Sequence, residues 1–206
     1  MSEVPPTTSR AYRELRREED GLGEVRVVPA EAFRAALRTF IKEPRLDMGE
    51  LAAELGISKA TLYRWTGSRE QLLSEVLNHL GEQAVSIGLE ASDGLKGPAR
   101  VEAFCRAFVG AIVNFEPLRR FVRKETPLAF RILTTRGGLV QTTVARRIAE
   151  VLEQESAAGS LTLRAPSPDL AYAMTRIIEG FIYNDAMADM DTDVETAVRI
   201  VCLLVD

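Results

Sequence analysis

The 206-residue chain is poor in the residues that carry most catalytic and metal chemistry, with two cysteines, one histidine and only 6% aromatic side chains. Cys105 and Cys202 are too few and too far apart for a disulfide framework or a zinc site, and they read as small buried hydrophobes. The single His79 lacks a plausible Cys or Ser partner and reads as structural. P-loop, GxGxxG and HExxH patterns are missing, and none of the many carboxylates stands out from ordinary surface charge. No apolar run approaches the roughly 18 residues that a membrane helix needs. The start, Met1-Ser2-Glu3-Val4-Pro5-Pro6, has neither the basic residues nor the apolar stretch of a signal peptide. These absences predict a soluble, cytoplasmic protein that is not an enzyme, with no catalytic residue, no metal, no cofactor and no membrane partner.

What is present fits a folded chain of one large or two small domains, since 46% of it is hydrophobic. The net charge of −4 argues against nucleic acid as a partner only until the charges are counted by segment. Residues 59–69 carry Lys59, Arg64 and Arg69 and no acid, whereas residues 81–206 carry 14 basic and 17 acidic side chains. A short basic stretch thus sits on an acidic protein.

Helical periodicity runs nearly throughout, without sustained two-residue alternation, so the expected fold class is all-α. Residues 1–28 form a polar N-terminal extension. In it Arg10, Arg13 and Arg17 share a helical face, but Glu14, Glu18, Glu19 and Asp20 cancel them, which favours a solvated extension over a DNA-touching arm. Pro29 suits a helix start, Phe33, Ala36, Leu37, Phe40 and Ile41 form one stripe, and Pro44 must end it. Asp47 to Glu50 reads as a capping box, Gly56 as a helix stop, Ser58 as a fresh N-cap, and Ser68 to Gln71 as a second capping box. Two short helices, about 48–55 and 59–65, are therefore joined by Gly56-Ile57-Ser58. That is a helix-turn-helix, whose second helix enters the major groove. Leu62 should lock it against Leu51 and Leu55, leaving Lys59, Thr61, Tyr63, Arg64 and Trp65 for phosphates and base edges. A helix of this size rises about 10 Å and addresses roughly three base pairs.

The run from Leu51 to Leu73 resembles the DNA-binding signature of the TetR family of bacterial repressors, an IAxxxGVSxxTLYxHFxSKExLL core. Ala52, Gly56, Ser58, Thr61-Leu62-Tyr63, Ser68-Arg69-Glu70 and Leu72-Leu73 carry the match. The Leu-Tyr-Arg-Trp-Thr-Gly-Ser-Arg-Glu-Gln-Leu variant and the Arg-Ala-Tyr-Arg-Glu-Leu extension are similar to the QsdR branch of that family. The resemblance implies a helix-turn-helix DNA-binding domain at 29–75 and a helical ligand-binding and dimerisation domain at 76–206. It implies phosphate contacts for Tyr63 and for Arg69, which stands where the family usually has Lys. Three departures matter. Thr66 replaces a core aromatic, so Trp65, in the place of a frequent His, is expected either to face DNA or to turn inward and take over that packing. Gly67 replaces a frequent Pro and should loosen the turn. Asp47 replaces a phosphate-binding Thr and acts as a cap only.

Helices are expected at about 98–115, 118–124, 127–135, 138–156, 168–189 and 192–205. The last is apolar almost all round, with Arg199 its only charge from Ala197 to Val205, and the one before carries Leu170, Met174, Ile177, Ile178, Phe181 and Ile182. Such helices need cover on more than one face, which a second copy supplies through residues about 168–205. Phe104, Phe108, Phe115, Phe121 and Phe130 cluster on short helices broken by Pro117 and Pro127, and with Met174 and Ile178 they are the candidate lining of an effector pocket. For each phenylalanine an ordinary core position is an equal reading. The function expected is a ligand-responsive repressor that binds a palindromic double-stranded DNA operator as a homodimer and is released by a small, lactone-like effector. The alternative is a structural or bridging DNA-binding factor of the same fold with no effector.

Overall fold

The computed structural model describes residues 8–19, 27–188 and 190–205. Among them the chain forms eleven helices and no strand. None of these helices is long and apolar enough to cross a membrane. The chain divides into two compact units, Met1–Asn78 and His79–Asp206.

The first unit holds α1 (Arg10–Glu19), α2 (Val27–Lys42), α3 (Met48–Glu54), α4 (Lys59–Thr66) and the start of α5 (Arg69–Ala91). α2 begins two residues before Pro29, which therefore falls in the first turn, where its missing N–H costs nothing. Phe33, Ala36 and Phe40 are buried, whereas Ile41 of the expected stripe is 44% exposed. The N-terminal extension departs most from expectation. Arg10, Arg13 and Arg17 do share an exposed face, and Arg10 pairs with Glu14 at 2.8 Å. The opposite face is not solvated: Ala11, Tyr12 and Leu15 are buried, and α1 packs against α2 and α4. Asp20 and the side chains of Glu18 and Glu19, expected to offset that basic face, lie outside the described residues.

The second unit takes the rest of α5, then α6 (Gly97–Val113), α7 (Glu116–Lys124), α8 (Thr126–Thr134), α9 (Leu139–Ala157), α10 (Ser167–Met187) and α11 (Val194–Cys202). Pro98, Pro117 and Pro127 each stand in the first turn of a helix, the position that tolerates proline. α9 packs on α10, and α6 on α11. A buried carboxylate ties the start of α6 to the end of α9. Glu155 accepts the Gly97 N–H and the Ser160 hydroxyl, both at 2.6 Å, and the Arg100 guanidinium. Those donors hold its carboxyl well below the usual range, at about 2.

α5 and α6 approach closely at Gly88. A Cβ there would stand 2.9 Å from Phe104 Cδ2 and 3.0 Å from the Phe104 carbonyl oxygen, so the absent side chain is what admits Phe104. Alanine is ordinarily about 1 kcal/mol better than glycine inside a helix. Gly88→Ala should nevertheless destabilise the second unit, by about 1–3 kcal/mol, because overpacking outweighs propensity here. Denaturant unfolding of the variant checks the sign.

Candidate nucleic-acid interface and effector cavity

The helix-turn-helix is built from local hydrogen bonds. Asp47 caps α3, its Oδ1 accepting the N–H groups of Gly49 at 2.6 Å and Glu50 at 3.0 Å. Those two bonds, with the nearby charges of Lys59 and Arg45, hold its carboxyl below the ordinary value. α3 ends in a Schellman turn: Gly56, at φ 64, donates to Ala53 and Ile57 donates to Ala52. Ser58 caps α4 by accepting the Thr61 N–H at 3.1 Å, and Ser68 does the same for Gln71 at the start of α5.

These caps fix which way α4 faces. Leu62 and Thr66 are fully buried. Thr66 meets the core with its hydroxyl satisfied, since Oγ1 donates to the Leu62 carbonyl at 2.9 Å. It thus fills the aromatic's place itself, and Trp65 stays half-buried instead of replacing it. Leu55, expected to face inward, is half-buried. Lys59, Tyr63 and Arg64 are exposed, Arg64 on the side of α4 away from Leu62, and Thr61 is half-buried with its hydroxyl 3.0 Å from that of Ser58. Ala60 joins the exposed face and was missed by sequence reasoning. Its signal was its register, one turn before Arg64.

Two of the candidate cations are already engaged. Lys59 lies along α3, where a Cβ on Gly49 would meet its Cε at 2.7 Å and its Nζ at 2.8 Å, and its charge stands near Asp47. Arg69 donates its Nε to the Leu46 carbonyl at 2.6 Å, so it joins the start of α5 to the approach to α3. Residues 59–69 are not the only basic stretch. Residues 119–136 hold six basic side chains and one acid. Several are paired in place: Arg119 with Asp191 at 3.5 Å, Arg123 with Glu116 at 3.3 Å, and Arg136 over the Tyr172 ring at 5.3 Å.

In the second unit Phe104, Phe108, Phe121, Met174 and Ile178 are core side chains, each 3% exposed or less. Phe104 and Phe108 stack at 5.9 Å. Phe115 and Phe130 are half-buried. A small cleft lies elsewhere, lined by Ile112, Val113, Leu118, Val122, Ile182 and Tyr183 with Arg119 and Thr192 at its polar side. None of the seven expected residues lines it, although Phe130 meets Tyr183 edge-on at 6.2 Å. Its free volume is about 10 Å³, room for one water. Glu179, one turn before Tyr183, has its carboxyl pushed up to about 7 by burial, against the pull of Arg176. Cys105 is buried as expected, and Cys202 is half-buried.

Residues 96–206 match the family model described as tetracyclin repressor-like, C-terminal domain. The chain belongs to the TetR family. Its members are DNA-binding transcription regulators and not enzymes, with an N-terminal helix-turn-helix and a C-terminal ligand-binding domain, and they are typically homodimers. Among solved structures the chain is similar to the transcriptional repressor QsdR of R. erythropolis, at 26% identity and a TM-score of 0.77, over 88% of this chain and 95% of that one. It also shares the fold of the fatty acid degradation regulator FadR from Bacillus halodurans, at 14% identity and a TM-score of 0.59, over 88% of this chain and 96% of that one. FadR from Bacillus subtilis, solved in complex with stearoyl-CoA, follows at 12% identity and a TM-score of 0.56, over 85% and 96% of the two chains. No curated protein matches the chain.

The turn after α4 carries a TetR-family departure with a structural reason. Gly67 sits at φ 70 and ψ −150 and donates its N–H to the Tyr63 carbonyl at 2.9 Å. Proline, frequent there in the family, could reach neither that φ nor that bond. The glycine therefore sets a specific backbone path, where a loosened turn was expected. Gly67→Ala should cost the first unit about 1–3 kcal/mol, the strain of a side chain in that region, and Gly67→Pro more. Urea unfolding of both variants measures the difference.

Proposed function

We propose that this TetR-family protein is a cytoplasmic repressor that binds a palindromic operator as a homodimer and is released by a small effector. The observation that carries the DNA-reading half is the exposure of Lys59, Ala60, Tyr63 and Arg64 on α4, whose Leu62 and Thr66 are buried. Arg64 and Lys59 are assigned to base edges, Thr61 and Trp65 to the edge of the same footprint, and Tyr63 and Arg69 to phosphates. Self-association is supported by apolar surface on the last two helices. Ile177 and Phe181 are half-buried on α10, Ile200 is exposed on α11, and Leu203 just beyond it is 63% exposed. Val201 is covered within its own chain, so a charge there would disrupt the unit before it reached any partner.

Selection of bound duplexes from a random pool should return inverted repeats, because one short helix addresses too few base pairs to be specific alone. Arg64→Ala should relax preference at particular positions, with about 1–3 kcal/mol lost for a bidentate contact. Arg69→Ala should weaken all sequences alike and lower the salt slope by about one unit. Equal losses on operator and random DNA for Arg64→Ala would remove its reading role.

The effector half of the proposal rests on the cleft beside Tyr183. Apolar walls with Arg119, Thr192 and Tyr183 at one side suit a ligand with a short hydrocarbon part and an oxygen acceptor, as a lactone has. The QsdR-like motif supports that class. The tight packing at this cleft favours the second reading, a DNA-binding factor with no effector, because a ligand there must open a space of about 10 Å³. A ligand releases DNA only by binding the DNA-incompetent state better. A lactone that binds should weaken operator affinity about 5–150-fold. Ile112→Trp, which fills the cleft, should abolish that response and keep operator affinity. A lactone panel that binds without changing operator titrations would leave the effector-free reading in place.

A further inference from the structure

α1 is joined to the first unit by a buried polar lock. Ser9 donates its N–H to one carboxylate oxygen of Glu75 and its hydroxyl to the other, the second at 2.5 Å. The same hydroxyl accepts the Tyr12 N–H at 3.1 Å and so caps α1. Tyr12 in turn accepts from Asn78 Nδ2 at 2.8 Å through its own hydroxyl, and its ring meets Phe33 of α2 at 5.3 Å. Ser9, Tyr12, Glu75 and Asn78 are each 5% exposed or less.

A carboxylate is buried at a high cost unless its oxygens are matched. Here the match comes from α1, with Gln71 Nε2 adding a bond at 3.3 Å. The carboxylate also stands at the positive end of α1. Glu75 belongs to α5, Phe33 to α2, and α1 packs against α4 as well as α2. The extension therefore touches the reading helix on one side and is held by α5 on the other. Base-edge contacts lose their discrimination when their support shifts by about half an ångström.

We propose that α1 is a brace that positions α4 for base reading, and that Glu75 is the positioning residue that locks the brace in place. The proposal rests on the reading of α4 as the DNA-facing helix. It goes beyond that reading by assigning a role in specificity to a segment outside the helix-turn-helix.

The test uses the full-length protein, the operator selected from a random pool and a scrambled duplex. Trp65 is the one tryptophan of the chain and lies on α4, so acrylamide quenching of its emission reports the setting of that helix. Glu75→Gln should weaken operator binding about tenfold, as the loss of a buried charge-assisted hydrogen bond would, and scrambled-duplex binding much less. Trp65 should become more quenchable at a temperature where the variant is fully folded. Ser9→Ala should act alike, and Ser9→Thr, which keeps the hydroxyl, should restore wild-type values. If Glu75→Gln does not fold, Tyr12→Phe removes one hydroxyl of the lock and should give the same changes at smaller size. Unchanged operator affinity and quenching, or equal losses on both duplexes that merely follow a lower melting temperature, overturn the brace. A wild-type protein that selects no sequence overturns the DNA reading instead, and Trp65 quenching still reports whether Glu75 sets α4.

Discussion

An eight-residue helix is too short to persist in water without tertiary support. Everything that α4 presents therefore depends on the anchoring of Leu62 and Thr66 in the core of the first unit. Their burial fixes the rotation of the helix about its axis, which places Lys59, Ala60, Tyr63 and Arg64 together on the outside. The caps at Ser58 and Gly67 fix where it starts and stops. The neighbouring helices serve the same end: α1, α2 and α3 all pack on α4.

The elements of this unit that could be read in the sequence are those set by local chemistry. Asp47, Ser58 and Ser68 cap helices because each side-chain oxygen reaches an N–H two or three residues on, and such bonds need no distant partner. Gly56 marks a helix end for the same reason. α1 could not be read that way. Its charges sum to little, and its buried face of Ala11, Tyr12 and Leu15 gains meaning only from Phe33 and Glu75, which are distant in sequence. Thr66 could not be read either. A polar residue in an aromatic's place left Trp65 open to face DNA or to turn inward, whereas the threonine hydroxyl satisfies itself on the preceding turn and is buried at little cost.

In the second unit helix positions followed from proline, glycine and apolar period, while the cavity did not. Five aromatic side chains in one stretch of sequence are equally a cavity lining and a filled core, and packing alone decides between them. Phe104 and Phe108 stack and close the space. The small cleft instead falls where Tyr183 and Ile182 of α10 meet the end of α6 and α7. Two carboxylates show the same dependence on tertiary context. Glu155 is matched by three donors and held strongly acidic, whereas Glu179 is buried beside a single arginine and is pushed toward neutrality.

The division between the two units falls between Asn78 and His79, inside α5. Helix formation has a costly nucleus and cheap propagation, so the Ser68 cap that starts α5 sets the helical register for everything the first unit places on it. Glu75 and Asn78, which hold Ser9 and Tyr12, take their positions from a cap two turns or more before them.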